Sequence, residues 1–208
     1  MKRVIKYILV GVVICVSLYN SIYIENLTEV KEKHGKSKFD AKGFANTFMT
    51  SEAKSLKGIA TAVFLDELAK DVTAYCEAQG NKLGISNSYY FIVESDAVVR
   101  YIGDENVIVS LIDGKDQNIK IATDFIFGNA IREGTKMANI SDYQNTMDYN
   151  NISVELNNYV RENIIPPFKE NVKIEDTIHF KGAVKVNLKQ VNLDDLRVIP
   201  IDVKFKNE

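Results

Sequence analysis

Tyr89-Tyr-Phe-Ile-Val93, Ala97-Val-Val-Arg-Tyr-Ile102, Val107-Ile-Val-Ser-Leu-Ile112 and Ile119-Lys-Ile-Ala122 are the runs that decide the fold. They are dense in aromatic and β-branched side chains, which suit a pleated, half-buried surface. Turn material separates them: Ser95-Asp96, Gly103-Asp104-Glu105 and Asp113-Gly114. Val107, Val109 and Leu111 alternate with Ile108 and Ser110, and Ile119 and Ile121 alternate with Asn118 and Lys120. Such alternation marks strands with one face on a core. The runs therefore predict short antiparallel strands joined by tight hairpins.

Downstream, the strand signal stops at Thr123-Asp124 and an irregular polar stretch follows. A helix then starts with Asn150 or Asn151 as its cap. Its apolar face is Ile152, Leu156, Tyr159 or Val160, and Ile164, and Pro166-Pro167 ends it, because proline lacks the N–H and restricts the residue before it. Two more strands complete the pattern. Ile178, Phe180, Val184 and Val186 alternate with polar residues, Gly182 permits a bend, and His179 falls on the polar face. Ile199, Ile201, Val203 and Phe205 form the last run, in which Pro200 requires an edge or a locally unpaired position. Strands, one helix, then two strands is the order of a five-stranded OB-like barrel with one inserted helix. We expect that barrel over residues 88–206, with a small mixed α+β sheet that does not close as the alternative.

Upstream, residues 39–84 read as an α-helical subdomain. Asp40 can cap a helix carrying Phe44 and Phe48 on one face, and Gly58 breaks it. A second helix is expected from about Ile59 to Glu77, with Leu65, Leu68, Val72 and Tyr75 inward and Asp66, Glu67, Lys70 and Asp71 outward. Cys76 borders that stripe and reads as a small buried hydrophobe, with no acid–base partner in view.

The N-terminus differs from everything after it. Residues 1–24 carry Lys2, Arg3 and Lys6 and no acid, so a +3 segment precedes a −5 body. From Tyr7 to Ile24 no charge occurs, about 27 Å of helix at ~1.5 Å per residue, near the lower limit for a bilayer span. We expect a signal anchor over 1–24 that contacts the membrane through residues 4–24. A cleaved signal peptide, or a lipoprotein signal with Cys15 acylated, is the competing reading. By the positive-inside bias the basic end stays in the cytoplasm and residues 25–208 lie outside it, in the periplasm or outside the cell. Residues 25–38 then form a polar stalk.

The whole chain has 208 residues, 46% apolar and 26% charged, which is a globular balance. Two cysteines and two histidines exclude a disulfide framework and argue against a Cys/His zinc site. No nucleophile-elbow, zincin or phosphate-loop motif is present. We therefore expect no enzyme, no catalytic residues, no metal and no cofactor. Nucleic acid is excluded as a partner on charge, because a −5 body lacks the basic footprint.

The densest polar residues lie in two segments. One holds Asn129, Arg132 and Glu133; the other holds Asn145, Thr146, Asp148, Asn150 and Asn151. An arginine beside asparagines can grip a carboxylate or a diol, and Asp148 can accept from hydroxyls. Asn129, Arg132, Asn145, Asp148 and Asn150 are thus a candidate site for a small polar ligand such as a sugar. The plainer reading pairs Arg132 with Asp148, or with backbone, to hold a long loop. Phe125, Phe127 and Tyr149 are expected to pin that loop to the core.

Gly-Asn-Ala-Ile-Arg (128–132), Asn-Thr-Met-Asp-Tyr-Asn-Asn (145–151) and Pro-Pro-Phe (166–168) resemble motifs of a bacterial family, domain of unknown function 2291. Leu-Tyr-Asn-Ser (18–21) and Asn-Leu-Asp-Asp-Leu (192–196) share the likeness, which covers nearly the whole chain. The family is described as predicted periplasmic lipoproteins. The resemblance implies an extracytoplasmic, membrane-attached protein and hints at an accessory of a sugar ABC transporter, whose components would be partners. It supplies no catalytic residue. A structural or assembly protein of the envelope is the alternative function.

Overall fold

The computed structural model describes residues 2–21, 39–114, 117–143 and 145–206. The chain divides into two units, Met1–Phe39 and Asp40–Glu208. In the first unit, α1 (Lys2–Ser21) is a single helix whose residues from Arg3 to Tyr19 are exposed on every side. The expected membrane anchor is not supported: among the described residues no helix is long and apolar enough to cross a membrane. The charge-free part of α1, Tyr7 to Ser21, spans about 22 Å, against a hydrocarbon core of about 30 Å. Residues 22–24 and the stalk expected over 25–38 lie outside the described residues.

The second unit is α+β. Its six strands are β1 (Ile59–Ala60), β2 (Ser88–Ile102), β3 (Asn106–Leu111), β4 (Asn118–Ala122), β5 (Thr177–Asn187) and β6 (Arg197–Phe205). They form one sheet in the order β1-β2-β3-β4-β6-β5, and β5 also pairs with β2. The path from β2 through β3, β4, β6 and β5 therefore returns to β2. Within it only β4 and β6 run parallel. β1 adds to β2 in parallel.

Ser95-Asp96 is not a turn. β2 is one 15-residue strand; its first part pairs with β5, its last part with β3, and Ala97 and Val98 pair with both. Asp96 is retained in the strand because its carboxylate takes His179 Nδ1 at 2.8 Å on one oxygen and Lys206 Nζ at 2.5 Å on the other. Pro200 sits opposite Gly182 where the β5–β6 register shifts. The β4 partner has already ended, at Ile121↔Val198, so the missing proline N–H leaves no rung broken. A Cβ on Gly182 would collide with the Ile199 carbonyl and the Val198 side chain, which is why glycine occupies the bulge.

The α-helices of six residues or more in this unit are α2 (Ala41–Thr47), α3 (Thr61–Lys70), α4 (Val72–Gln79), α5 (Ala130–Thr135), α6 (Thr146–Tyr159) and α7 (Ile165–Asn171); a π-helical turn (Phe48–Glu52) and a short α-helical turn (Ala53–Ser55) continue α2. Those upstream of β2, expected as a helical region over 39–84, lie with the sheet in the one unit Asp40–Glu208. Residues 59–77 are not one helix either. Ile59–Ala60 join the sheet, and Asp71 breaks the rest by turning extended and capping α4 through Ala74 N at 2.9 Å. α6 is capped five or six residues before the expected Asn150 or Asn151, because Asn145 accepts from Asp148 N at 2.8 Å. Pro166-Pro167 do not end the helix. A π-helical turn (Val160–Ile164) follows α6, and the prolines then occupy the first positions of α7, where their lost N–H groups have no partner to miss.

Tyr89–Val93 is buried on both faces. Tyr89, Phe91 and Val93 join the interior cluster with Val99, Val109 and Phe180. Tyr90 and Ile92 are buried on the opposite face, where α5 packs on β2 and β5. A Cβ on Gly134 would lie 3.0 Å from Ile92 Cδ1 and 3.2 Å from the Phe91 carbonyl, so α5 can approach only with glycine there. Cys76 is fully buried, as expected, and burial pushes its thiol up to about 11.

Candidate functional site

Arg132, on α5, is 2% exposed. Its Nε donates to Glu133 Oε1 at 2.9 Å, and a second guanidinium nitrogen lies 2.7 Å from the same oxygen. A third donates to the Tyr149 carbonyl at 2.7 Å and reaches Asn150 Oδ1 at 3.4 Å. The guanidinium carbon sits 3.6 Å from the centroid of the Tyr149 ring, and the Tyr149 hydroxyl donates to Glu133 at 3.0 Å. Burial, and then that bond to a carboxylate, push the Tyr149 phenol up to about 12. Arg132, Glu133 and Tyr149 thus close a buried network that ties α5 to α6. Each charge meets an opposite charge, as burial requires.

The other expected site residues disperse. Asp148 pairs with Asn145, whose Nδ2 donates to its carboxylate at 2.9 Å, and not with Arg132. Asn145 and Asn150 are exposed, and Asn129 bonds the Tyr90 hydroxyl. Arg132 therefore meets Asn150 but neither Asn145 nor Asp148. Arg132 pairing with its neighbour Glu133 was not anticipated, because adjacent helical residues do not face each other. The pair forms because both side chains converge on Tyr149.

Tyr149 pins the loop, at 2% exposure, but Phe125 and Phe127 do not: they are 54% and 68% exposed. Ile126, between them, takes the buried position. Phe125 has φ 51, a left-handed conformation rarely adopted by a bulky residue, and Asp124 Oδ1 accepts its N–H at 2.7 Å. The loop is bolted to α6 and the turn after it, since Asn157 Nδ2 donates to the Gly128 carbonyl at 2.8 Å and Arg161 to that of Ile126.

A groove opens elsewhere, over β3 and β4. Val107, Val109, Ile119 and Ile121 point into the core, so Ile108 and Lys120 point out. These two residues are cross-strand partners. Cavities of about 530 and 300 Å³ adjoin here, both lined by these two residues. Leu65, Ala69 and Leu193 line one end; Tyr101, Asp104 and Glu105 line the other. Lys120 donates to Asp195 at 2.5 Å, and that bond holds the Asp195 carboxyl below its usual range. The alternation of β3 and β4 already placed Ile108 and Lys120 on one outer face; the loops that wall them in gave no sequence signal. Among the described residues no three His, Cys, Asp or Glu side chains converge to hold a metal ion.

A family model described as predicted periplasmic lipoprotein (DUF2291) matches residues 12–204. A crystal structure described as an OB-fold protein from Thermotoga maritima is similar, with TM-score 0.71 and 19% identity over 82% of this chain and 100% of that one. That likeness concerns the fold alone. No curated protein matches the chain.

Proposed function

The chain belongs to the DUF2291 family of predicted periplasmic lipoproteins, and from that premise we propose a membrane-attached, extracytoplasmic binding or accessory protein. Cys15 is the residue we assign to acylation: it is exposed, and it lies within the apolar run that follows Lys2, Arg3 and Lys6, the basic-then-apolar order of an export leader. Anchorage by acyl chains does not require α1 to span the bilayer.

The observation that carries the binding role is the β3–β4 groove. It combines an apolar floor with a few hydrogen-bonding groups, the usual make-up of a small-molecule site. Tyr101 offers a half-exposed ring, while Asp104, Glu105, Asn106 and Lys120 offer donors and acceptors. A sugar suits such a rim, and a sugar ABC transporter is the partner such an accessory would serve. Thermal shift of the detergent-solubilised chain against pentoses and hexoses tests this. A rise in midpoint with one sugar, abolished by Lys120→Ala with Tyr101→Ala, is expected. No rise with any sugar rejects the ligand role.

A second reading, an assembly protein of the envelope, draws on Phe125 and Phe127. Two exposed rings on a loop fixed at both sides make a surface for another protein. Recovery of permease subunits without sugar binding favours it.

A further inference from the structure

Two backbone irregularities flank one cavity that the groove does not touch. The π-helical turn Val160–Ile164 brings Asn163 and Ile164 to its edge. Such turns inside helices recur at functional sites. The turn before β5 lends Lys173 and Asp176 to the same cavity, and between them Glu175 has φ 73, again left-handed for a residue with a Cβ. That turn is bolted to β2. Glu175 N–H donates to the Val99 carbonyl at 2.9 Å, Val99 N–H to that of Asp176 at 2.9 Å, and Arg100 grips both Glu175 carboxylate oxygens at 2.7 Å. Strained residues that the surroundings hold so firmly concentrate at ligand sites.

The cavity is about 520 Å³, within the range of small-molecule sites. Its floor is apolar, from Ile164, Pro167, Phe168, Val203 and Phe205. Its rim carries both signs of charge. Lys173 forms no ion pair among the described residues, while Asp176 and Asp202 supply carboxylates, one oxygen of Asp202 already lying 2.9 Å from Lys204 Nζ. Asp176 Oδ2 accepts the Lys173 backbone N–H at 2.7 Å, which fixes that carboxylate and holds the two residues in one tight turn. Asn163 and Asn171 each give an N–H back to a helix carbonyl, at 3.1 and 2.8 Å, leaving their oxygens to accept.

We propose that this cavity binds an amphoteric molecule with an apolar side chain, of the α-amino-acid class. Its ammonium lies against Asp202 and Asp176, its carboxylate against Lys173, and its side chain over Val203 and Phe205. A phosphate is disfavoured by the two carboxylates, and a purely apolar molecule by the polar rim. The reading is independent of the groove over β3 and β4.

Isothermal titration of the detergent-solubilised chain with L-phenylalanine tests it. L-Phenylalaninamide, which lacks the carboxylate, and 3-phenylpropionate, which lacks the ammonium, serve as probes that alter no residue. Saturable binding of L-phenylalanine, at least tenfold weaker for each probe and for Asp202→Asn with circular dichroism unchanged, is the expected result. No heat at 10 mM L-phenylalanine or L-leucine, or equal binding of 3-phenylpropionate, overturns the proposal.

Discussion

The Arg132 guanidinium stacks on the Tyr149 ring at 3.6 Å while both side chains bond Glu133. This triangle decides what the polar loop does, because it spends the arginine internally. Removing Arg132 strands a buried carboxylate. Arg132→Met should therefore destabilise the fold by about 3–5 kcal/mol, and Arg132→Met with Glu133→Leu should recover most of it. Urea denaturation of the three proteins measures both. Equal loss in the single and double variants would show that packing, not charge, dominates.

Asp96 gives the fold an acid limit. Its pKa is lowered first by the hydrogen bond from Lys206 and then by that of His179. The folded carboxyl thus titrates below its unfolded value near 3.8. Its contribution is present in full above that value and is lost as pH falls through the depressed one. Asp96→Asn should flatten the decline of the urea midpoint below about pH 4, and an unchanged decline would remove Asp96 as its source.

Phe125 holds φ 51 without being buried. Phe125→Gly should leave stability unchanged or raise it by up to about 1 kcal/mol, since glycine adopts that conformation freely. A loss above that size would mean the exposed ring packs on something within the fold.

How much was legible beforehand follows from these residues. The alternation of Val107–Leu111 and Ile119–Ile121 reports one buried face directly, so β3 and β4 were readable. Ser95-Asp96 looked like a turn because both residues favour turns. Long-range contacts keep it in a strand: the ladder to β5, the Ile112 N–H on the Asp96 carbonyl, and the pairing of the Asp96 carboxylate with His179 and Lys206, 83 and 110 positions away. The candidate site failed to assemble as read for a similar reason. Asn145 and Asp148 satisfy each other locally, and Arg132 finds Glu133 through Tyr149, so partner choice rested on packing that spacing does not encode. The prolines misled because position within a helix, not presence, decides their effect.

Cys76 is fully buried and its thiol is pushed up to about 11. In a Cys15→Ser chain it should not react with a thiol reagent at pH 8 until urea unfolds the protein. Labelling at the rate of a free thiol would contradict that burial.

Membrane attachment through Cys15 is the central claim, and metabolic labelling with an alkyne fatty acid tests it most directly. The wild-type chain should carry the label and sediment with membranes, and Cys15→Ser should lose the label. An unlabelled wild-type chain, or equal labelling of Cys15→Ser, would contradict the account.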